Sequence, residues 1–116
     1  MTIGVVNWDR GYGKKFFELC DKIRLAEGVT AEYLLEHGFT NHHEPTLYYC
    51  RGIMKKNYHV SLNISIDKKT LEIKSIDLLN DEFLQPHVCN QMDYEQSKGY
   101  INKLVKDGVL ILEEAA

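Results

Sequence analysis

The stretch from Asn57 to Ile66, N-Y-H-V-S-L-N-I-S-I, alternates polar and apolar residues without interruption. Successive side chains of a β-strand point to opposite faces, so this alternation predicts a strand with one buried face and one wetted face. The even-numbered positions supply the apolar face and the odd-numbered positions the polar face. The segment therefore predicts the centre of a half-buried sheet.

Two further apolar runs flank this segment, at roughly 47–53 and 71–79, and complete a predicted three-stranded meander. The polar residues 67–70, D-K-K-T, predict a four-residue hairpin loop between the second and third strands. The first strand is rich in tyrosine, which is common in strands.

The third strand changes phase, because Leu71 and Ile73 share one parity whereas Ile76 and Leu78 share the other. A β-bulge at Lys74–Ser75 would return these side chains to a single face. A one-residue slip would expose all of them, so the apolar pattern restricts the pairing. The register predicted on this basis pairs Ile64 with Ile73, Leu62 with Ile76 and Val60 with Leu78.

Patterns outside the meander predict a further strand at Thr2–Trp8 and helices that cover the apolar face. Val109–Leu112 is either a final short strand or an apolar segment packed on the core. The predicted helices are Lys14–Glu27, Ala31–His37 and Met92–Asp107. The chain is thus predicted to be one α+β domain, residues 1–116. Its antiparallel sheet, a three-stranded meander plus the N-terminal strand, has helices packed on one face.

Composition narrows the class of function. The chain has 116 residues, 44% hydrophobic and 27% charged, with a net charge of -3. That balance argues against broad nucleic-acid binding, which depends on Lys and Arg at phosphates. We see no signal peptide and no membrane-spanning stretch. The three cysteines are widely spaced and are interpreted as reduced thiols, which predicts a cytoplasmic protein.

The polar face of the meander is the predicted partner-binding surface, with His59, Ser61, Asn63 and Asp77 as its residues. The predicted register puts Ser61 opposite Asp77 with His59 diagonal to it, the residue set of a hydrolase triad. A flat, wet sheet face lacks the oxyanion donors and the pocket that such chemistry needs. We therefore expect binding of a protein, or self-association, rather than catalysis.

A glycine-rich turn offers an alternative site for a phosphate-bearing small ligand. It runs from Arg10 to Lys15, between a predicted strand and a predicted helix. The alternative site consists of Gly11, Gly13, Lys14 and Lys15, because backbone N–H groups at a helix start bind anions. The turn lacks the glycine spacing and the Lys-Ser/Thr ending of a P-loop.

Metal-capable residues occur in two short groups, His42-His43-Glu44 and His87-Val88-Cys89. Structural zinc sites show paired spacings that neither group has. We therefore predict no metal and no cofactor, and leave open whether His42, His43, His87 and Cys89 bind one.

Residues 14–37 resemble a helix-turn-helix in outline, which makes DNA binding a third interpretation. The second predicted helix carries Glu32, Glu36 and His37 but no Lys or Arg to reach bases and phosphates. A pair of helices packed on the sheet accounts for the pattern better.

No named family is matched at the level of a motif. In size and composition the chain resembles small α+β proteins of low-GC bacteria and their phages, with a helix ending in L-x-x-x-G-F before tyrosine-rich strands. That resemblance implies no functional residues. The sequence predicts a non-enzymatic protein that binds another protein.

Overall fold

Eight strands and three helices form the parts of the chain that the computed structural model describes, residues 2–6, 12–55, 58–80, 85–88 and 91–113. The helices are α1 (Tyr12–Asp21), α2 (Ala31–Glu36) and α3 (Gln91–Lys106). The strands are β1 (Thr2–Val6), β2 (Ile23–Leu25), β3 (Thr40–His43), β4 (Thr46–Lys55), β5 (Tyr58–Asp67), β6 (Ile73–Asn80), β7 (Gln85–Val88) and β8 (Leu110–Leu112).

The main sheet has six strands in the order β1-β7-β6-β5-β4-β3. Strands β3 to β6 form an antiparallel meander, and β7 continues it along the end of β6. The N-terminal strand β1 joins the sheet in parallel, beside β6 and β7. The predicted α+β class, with an antiparallel meander and an added N-terminal strand, is confirmed.

The predicted bulge is confirmed and the predicted register is wrong by two residues. Ser65 pairs with Ser75 and Ile66 with Ile73, which leaves Lys74 as the extra residue. Ile64 lies opposite Ile76 and not opposite Ile73. A shift of two residues preserves the face of every side chain, so the apolar residues stay on the buried side.

The turn explains the difference in register. The Asp67 carboxylate accepts hydrogen bonds from the backbone N–H groups of Lys69, at 2.8 Å, and Thr70, at 3.1 Å. The Asp67 N–H also donates to the Glu72 carbonyl at 2.9 Å. Asp67 is therefore the last residue of β5, and the turn reaches one residue further than the sequence predicts. Leu71 takes a φ of 55° there.

The predicted helix Lys14–Glu27 is wrong beyond Asp21. Residues Ile23–Leu25 form β2, which pairs in antiparallel fashion with β8 as a separate two-stranded sheet. Ile23 is buried, as a helical stripe would also require, so periodicity did not distinguish the two states. The strand separates α1 from α2, and the predicted helix-turn-helix outline is not formed.

The other helices agree with the sequence. The Thr30 hydroxyl caps α2 by accepting from the Tyr33 N–H at 3.1 Å. Gly38 after α2 has a φ of 97°, and Gly108 after α3 has a φ of 77°. Both are left-handed positions that favour glycine at the end of a helix. Within the segment 109–112, Leu110–Leu112 form the strand β8, which pairs outside the main sheet.

Strand β3 lies where the sequence predicts a polar loop. Its residues T-N-H-H pair with β4 at one edge of the sheet, and the exposed, polar side chains of Thr40, Asn41 and His42 leave no apolar signal. Strand β7 was likewise not predicted.

The hydrophobic core lies on one side of the main sheet. Buried side chains of all three helices join the even-numbered residues of β5 in one cluster. Phe16, Leu34 and Ile101, one from each helix, are completely buried. Within the described residues no helix has the length and apolarity to cross a membrane.

Candidate functional site

The polar sheet face lies opposite the core and is defined by Tyr48, Cys50, Gly52, Ser61, Asn63, Ser65, Ser75 and Asp77. These residues alternate with the buried ones along β4, β5 and β6, and they are aligned with one another by the strand register. The described helices contribute their apolar buried side chains to the other side of the sheet. Three of the four predicted partner-binding residues, Ser61, Asn63 and Asp77, therefore share a face.

The expectation that this face is wet along its whole length is wrong at its centre. Ser61 is 1% exposed and Ser65 is 8% exposed, whereas Asn63 and Asp77 are half-buried. Both serines belong to β5, which has β4 on one side and β6 on the other. The accessible parts of the face are at β4, where Tyr48 is 38% exposed and Cys50 is also exposed.

Hydrogen bonds link the serine and asparagine side chains of this face to one another. The Ser65 and Ser75 hydroxyls bond across the strands. The Asn63 amide donates to the Ser61 hydroxyl at 2.9 Å. Buried hydroxyls are thus satisfied within the sheet, as burial of polar groups requires.

The triad-like arrangement considered for this face is not formed. Asp77 pairs with Asn63, and Ser61 lies opposite Leu79. The backbone of His59 pairs with that of Met54 in β4, and the His59 side chain lies outside the described atoms. The residue set for nucleophilic catalysis is therefore not assembled by the register.

The exposed edge of β4 is protected by side chains. Beyond Tyr48 the described part of β3 does not accompany β4. The Arg51 guanidinium donates to the Cys50 carbonyl at 3.1 Å, and the Tyr100 hydroxyl of α3 donates to the Gly52 carbonyl at 2.7 Å. Capping of these carbonyls makes the edge a poorer template for another strand.

The glycine-rich turn is only partly described, because Gly11 lies outside the described residues. Gly13, Lys14 and Lys15 belong to α1, which begins at Tyr12. Lys14 and Lys15 are exposed. Lys15 lies in a groove of about 490 Å³ between α1, α3 and β8, which Lys22, Lys98 and Tyr94 also line.

The structure describes only some of the metal-capable residues singled out in the sequence. No group of three or more His, Cys, Asp or Glu side chains suits a metal within the described residues. His42 is exposed, and Glu44 pairs with Lys68, which lowers the pKa of the Glu44 carboxyl. The side chains of His43 and His87 and all of Cys89 lie outside the description.

A polar cavity at the end of α2 was not predicted from the sequence. It measures about 230 Å³ and lies where α2, α3 and β4 meet. Its lining residues are Glu36, His37, Gly38, Tyr49, Arg51, Lys103, Leu104 and Asp107. Arg51 was the available signal, since it stands opposite Leu62 on the buried side of the sheet, where a charged residue is unusual.

Tyr49 and His37 present polar groups near this cavity. Burial raises the pKa of the Tyr49 phenol, and Arg51 partly offsets that rise. His37 Nδ1 lies 2.8 Å from the Tyr33 carbonyl, so Nδ1 carries a proton and Nε2 is the acceptor of the neutral ring. Both side chains can take part in hydrogen bonding to a bound molecule.

Comparison with known proteins shows the fold alone. No family model matches the chain, and no curated protein matches it. The structure is similar to that of a DUF1831 family protein, lp2179, from Lactobacillus plantarum. The TM-score is 0.65, and the match covers 78% of this chain and 86% of that chain. The two sequences are 13% identical, so the likeness carries no functional residue to this chain.

Proposed function

We propose that the protein acts by binding another protein through its polar sheet face. The observation that carries this proposal is the separation of the two sides of the sheet: the described helices build the core on one side, and exposed Tyr48 and Cys50 lie on the other. Tyrosine is enriched at interfaces because it offers apolar area together with a hydroxyl.

The character of the face indicates the kind of partner. Its serines and asparagine are hydrogen-bonded to one another, and Asp77 is the one carboxylate among the residues that define the face. A flat sheet surface of a partner can approach such a face, since packed sheets lie about 10 Å apart. The capped carbonyls of β4 favour binding by the face over binding by the edge. We therefore favour a partner with a flat sheet surface, of which a second copy of this chain is the simplest.

The test compares two arginine substitutions at exposed apolar positions. Tyr48→Arg places a charge on the polar sheet face, and Met92→Arg places the same charge on exposed α3. Light scattering after size-exclusion chromatography measures self-association, and a quantitative pull-down measures other partners. We expect Tyr48→Arg to lose association and Met92→Arg to retain it, with both variants folded by circular dichroism. Association retained by both variants would count against the proposal. So would the absence of association in the wild type and in the Met92→Arg control.

The cysteines support a location for this function. Cys20 is buried and Cys50 is exposed, and both are thiols rather than halves of a disulfide. An exposed thiol persists in a reducing compartment, so we place the protein in the cytoplasm.

A second candidate function is binding of a phosphate-bearing ligand in the groove between α1 and α3. Three lysines, Lys15, Lys22 and Lys98, line this groove, and Lys98 Nζ lies 5.9 Å from the ring centre of Tyr94. The same groove is lined by Glu18 and Glu113, which reduce its positive charge.

Inorganic phosphate and ATP are the probes for this candidate, with thermal stability as the readout. A ligand that binds only the folded state at about 100 times its Kd adds about 2.7 kcal/mol of stability. We expect Lys98→Ala to abolish the shift and Lys14→Ala, outside the groove, to preserve it. If Lys14→Ala rather than Lys98→Ala abolishes the thermal shift, the ligand binds at the glycine-rich turn. Absence of a thermal shift with both probes would contradict both sites.

A further inference from the structure

The polar cavity between α2, α3 and β4 is lined by an arginine, Arg51. Within the described part of the chain Arg51 forms no ion pair. Its guanidinium donates to the Cys50 carbonyl at 3.1 Å and lies 4.5 Å from the ring centre of Tyr49. A guanidinium has five donors, so these contacts leave donors for a further acceptor.

The surroundings of Arg51 hold its guanidinium in place. Tyr49 is 2% exposed, and its ring also packs on Phe39 at 5.2 Å between centres. A Cβ at Gly38 would lie 2.3 Å from Arg51 Nη2, so the guanidinium occupies space that any other residue at 38 would fill. A group positioned before its ligand arrives loses less freedom on binding.

The residues around the cavity select among anions. Arg51 and Lys103 supply two positive charges, whereas Glu36 and Asp107 supply two negative ones. With equal numbers of positive and negative side chains, the lining gives a dianion such as phosphate no net electrostatic advantage over a monoanion. Buried Leu104 and the Tyr49 ring add an apolar wall that a short hydrocarbon tail can contact.

From these observations we propose that the cavity binds a small monocarboxylate, whose carboxylate accepts hydrogen bonds from Arg51 and lies near Lys103. Arginine suits this role because its fork of N–H groups matches both oxygens of a carboxylate. The site is separate from the polar sheet face and from the lysine-lined groove, so its test does not depend on either proposed function.

The experiment titrates the full chain with acetate, butyrate and inorganic phosphate and follows amide and arginine Nε–H resonances by NMR. We expect saturable shifts at Gly38 and Arg51 with both carboxylates, tighter binding of butyrate, and weaker binding of phosphate. Equal or tighter binding of phosphate would overturn the selectivity for a monocarboxylate. Absence of saturable shifts with all three probes would overturn the site.

Substitutions locate the binding. Arg51→Ala should weaken butyrate binding by about tenfold or more, since a charge-assisted hydrogen bond is lost. Lys103 and Lys106 both stand in the last turn of α3, and only Lys103 lines the cavity. Lys103→Ala should weaken binding and Lys106→Ala should not. Equal effects of the two lysine variants would indicate nonspecific attraction and would contradict the proposal. Arg51→Lys, which keeps the charge and loses the fork, supplies a second variant if Arg51→Ala does not fold.

Discussion

Two glycines with a positive φ allow the cost of backbone strain to be distinguished from the cost of side-chain crowding when each is substituted. Gly28 has a φ of 81° with no atom near its missing Cβ, whereas Gly38 has a φ of 97° with Arg51 Nη2 in that space. We expect Gly28→Ala to cost about 1 kcal/mol from the backbone alone. Gly38→Ala should cost more and displace the Arg51 guanidinium, so it should also weaken carboxylate binding. Chemical denaturation measures the stabilities, and equal losses would show that Arg51 moves aside freely.

Ser61 illustrates how far the pattern of a single strand can be interpreted. The polar and apolar alternation of residues 57–66 assigned Ser61 to the correct face. The exposure of its side chain also depends on the residues of adjacent strands, which the sequence of a single strand does not contain. Arginine at this 1% exposed position would bury a charge beside its strand neighbours. We expect Ser61→Arg to destabilise the fold by about 3 kcal/mol or more, measured by denaturation. A folded Ser61→Arg protein of normal stability would contradict the burial.

At the scale of elements, the hairpin turn between β5 and β6 should respond to acid. Backbone hydrogen bonds from Thr70 and then Lys69 hold the pKa of Asp67 below its ordinary value of 3.8. The stabilisation is therefore complete above that value and is lost as pH falls through the lower folded-state pKa. We expect Asp67→Ala to be less stable than wild type near neutral pH, and the two proteins to converge in strong acid.

The control for the turn is Asp21→Ala, which removes an exposed carboxylate at the end of α1. At neutral pH it should lose less stability than Asp67→Ala, because its carboxylate does not hold the hairpin turn. A difference for Asp67→Ala that stays constant across the titration would show that the carboxylate does not act through its charge.

Strand β2 of the small sheet is one of the elements that sequence periodicity did not identify. Ile23 suits a helical stripe and a strand equally, and the pairing with β8 is remote in sequence. In contrast, α2 and α3 were predicted within a residue or two, because a cap at Thr30 and glycines at 38 and 108 are local signals. Local chemistry thus set α2 and α3, whereas remote pairing with β8 set β2.

Adjacent residues of β8 test whether the small sheet belongs to the core. Leu110 is completely buried, whereas Ile111 is 41% exposed. We expect Leu110→Ala to cost about 2–5 kcal/mol, the range for a buried leucine, and Ile111→Ala to cost less than about 1 kcal/mol. Thermal and urea denaturation measure both. Similar losses for the two variants would mean that β8 is attached through its backbone rather than through Leu110.

At the scale of the whole molecule, the polar cavity could not be predicted from the sequence, although its signal was present. Arg51, Gly38 and Lys103 are far apart along the chain and meet only when α2 and α3 pack beside β4. The polar sheet face was predictable because it depends on a strand period and on neighbouring strands. A site formed by one strand and two helices can be located only once the packing of those elements is known.

The packing of α3 beside β4 also protects the β4 edge of the sheet. Loss of that protection should increase self-association. Tyr100 of α3 caps the Gly52 carbonyl of β4 at 2.7 Å. Tyr100→Phe removes that hydrogen bond, so we expect a loss of about 1 kcal/mol and an edge that pairs more readily with another chain. Size-exclusion chromatography with light scattering should detect this additional association at high protein concentration.

Tyr94→Phe is the matched control, because Tyr94 lies on the same helix and contacts the Tyr12 ring, at 6.2 Å between centres, rather than the sheet edge. Its association should equal that of wild type. Adding Tyr48→Arg to Tyr100→Phe separates the two modes, since the arginine blocks association by the polar sheet face and leaves the edge open. Persistent association of this double variant would identify edge pairing, whereas wild-type behaviour of Tyr100→Phe would show that the β4 edge is protected without the tyrosine hydroxyl.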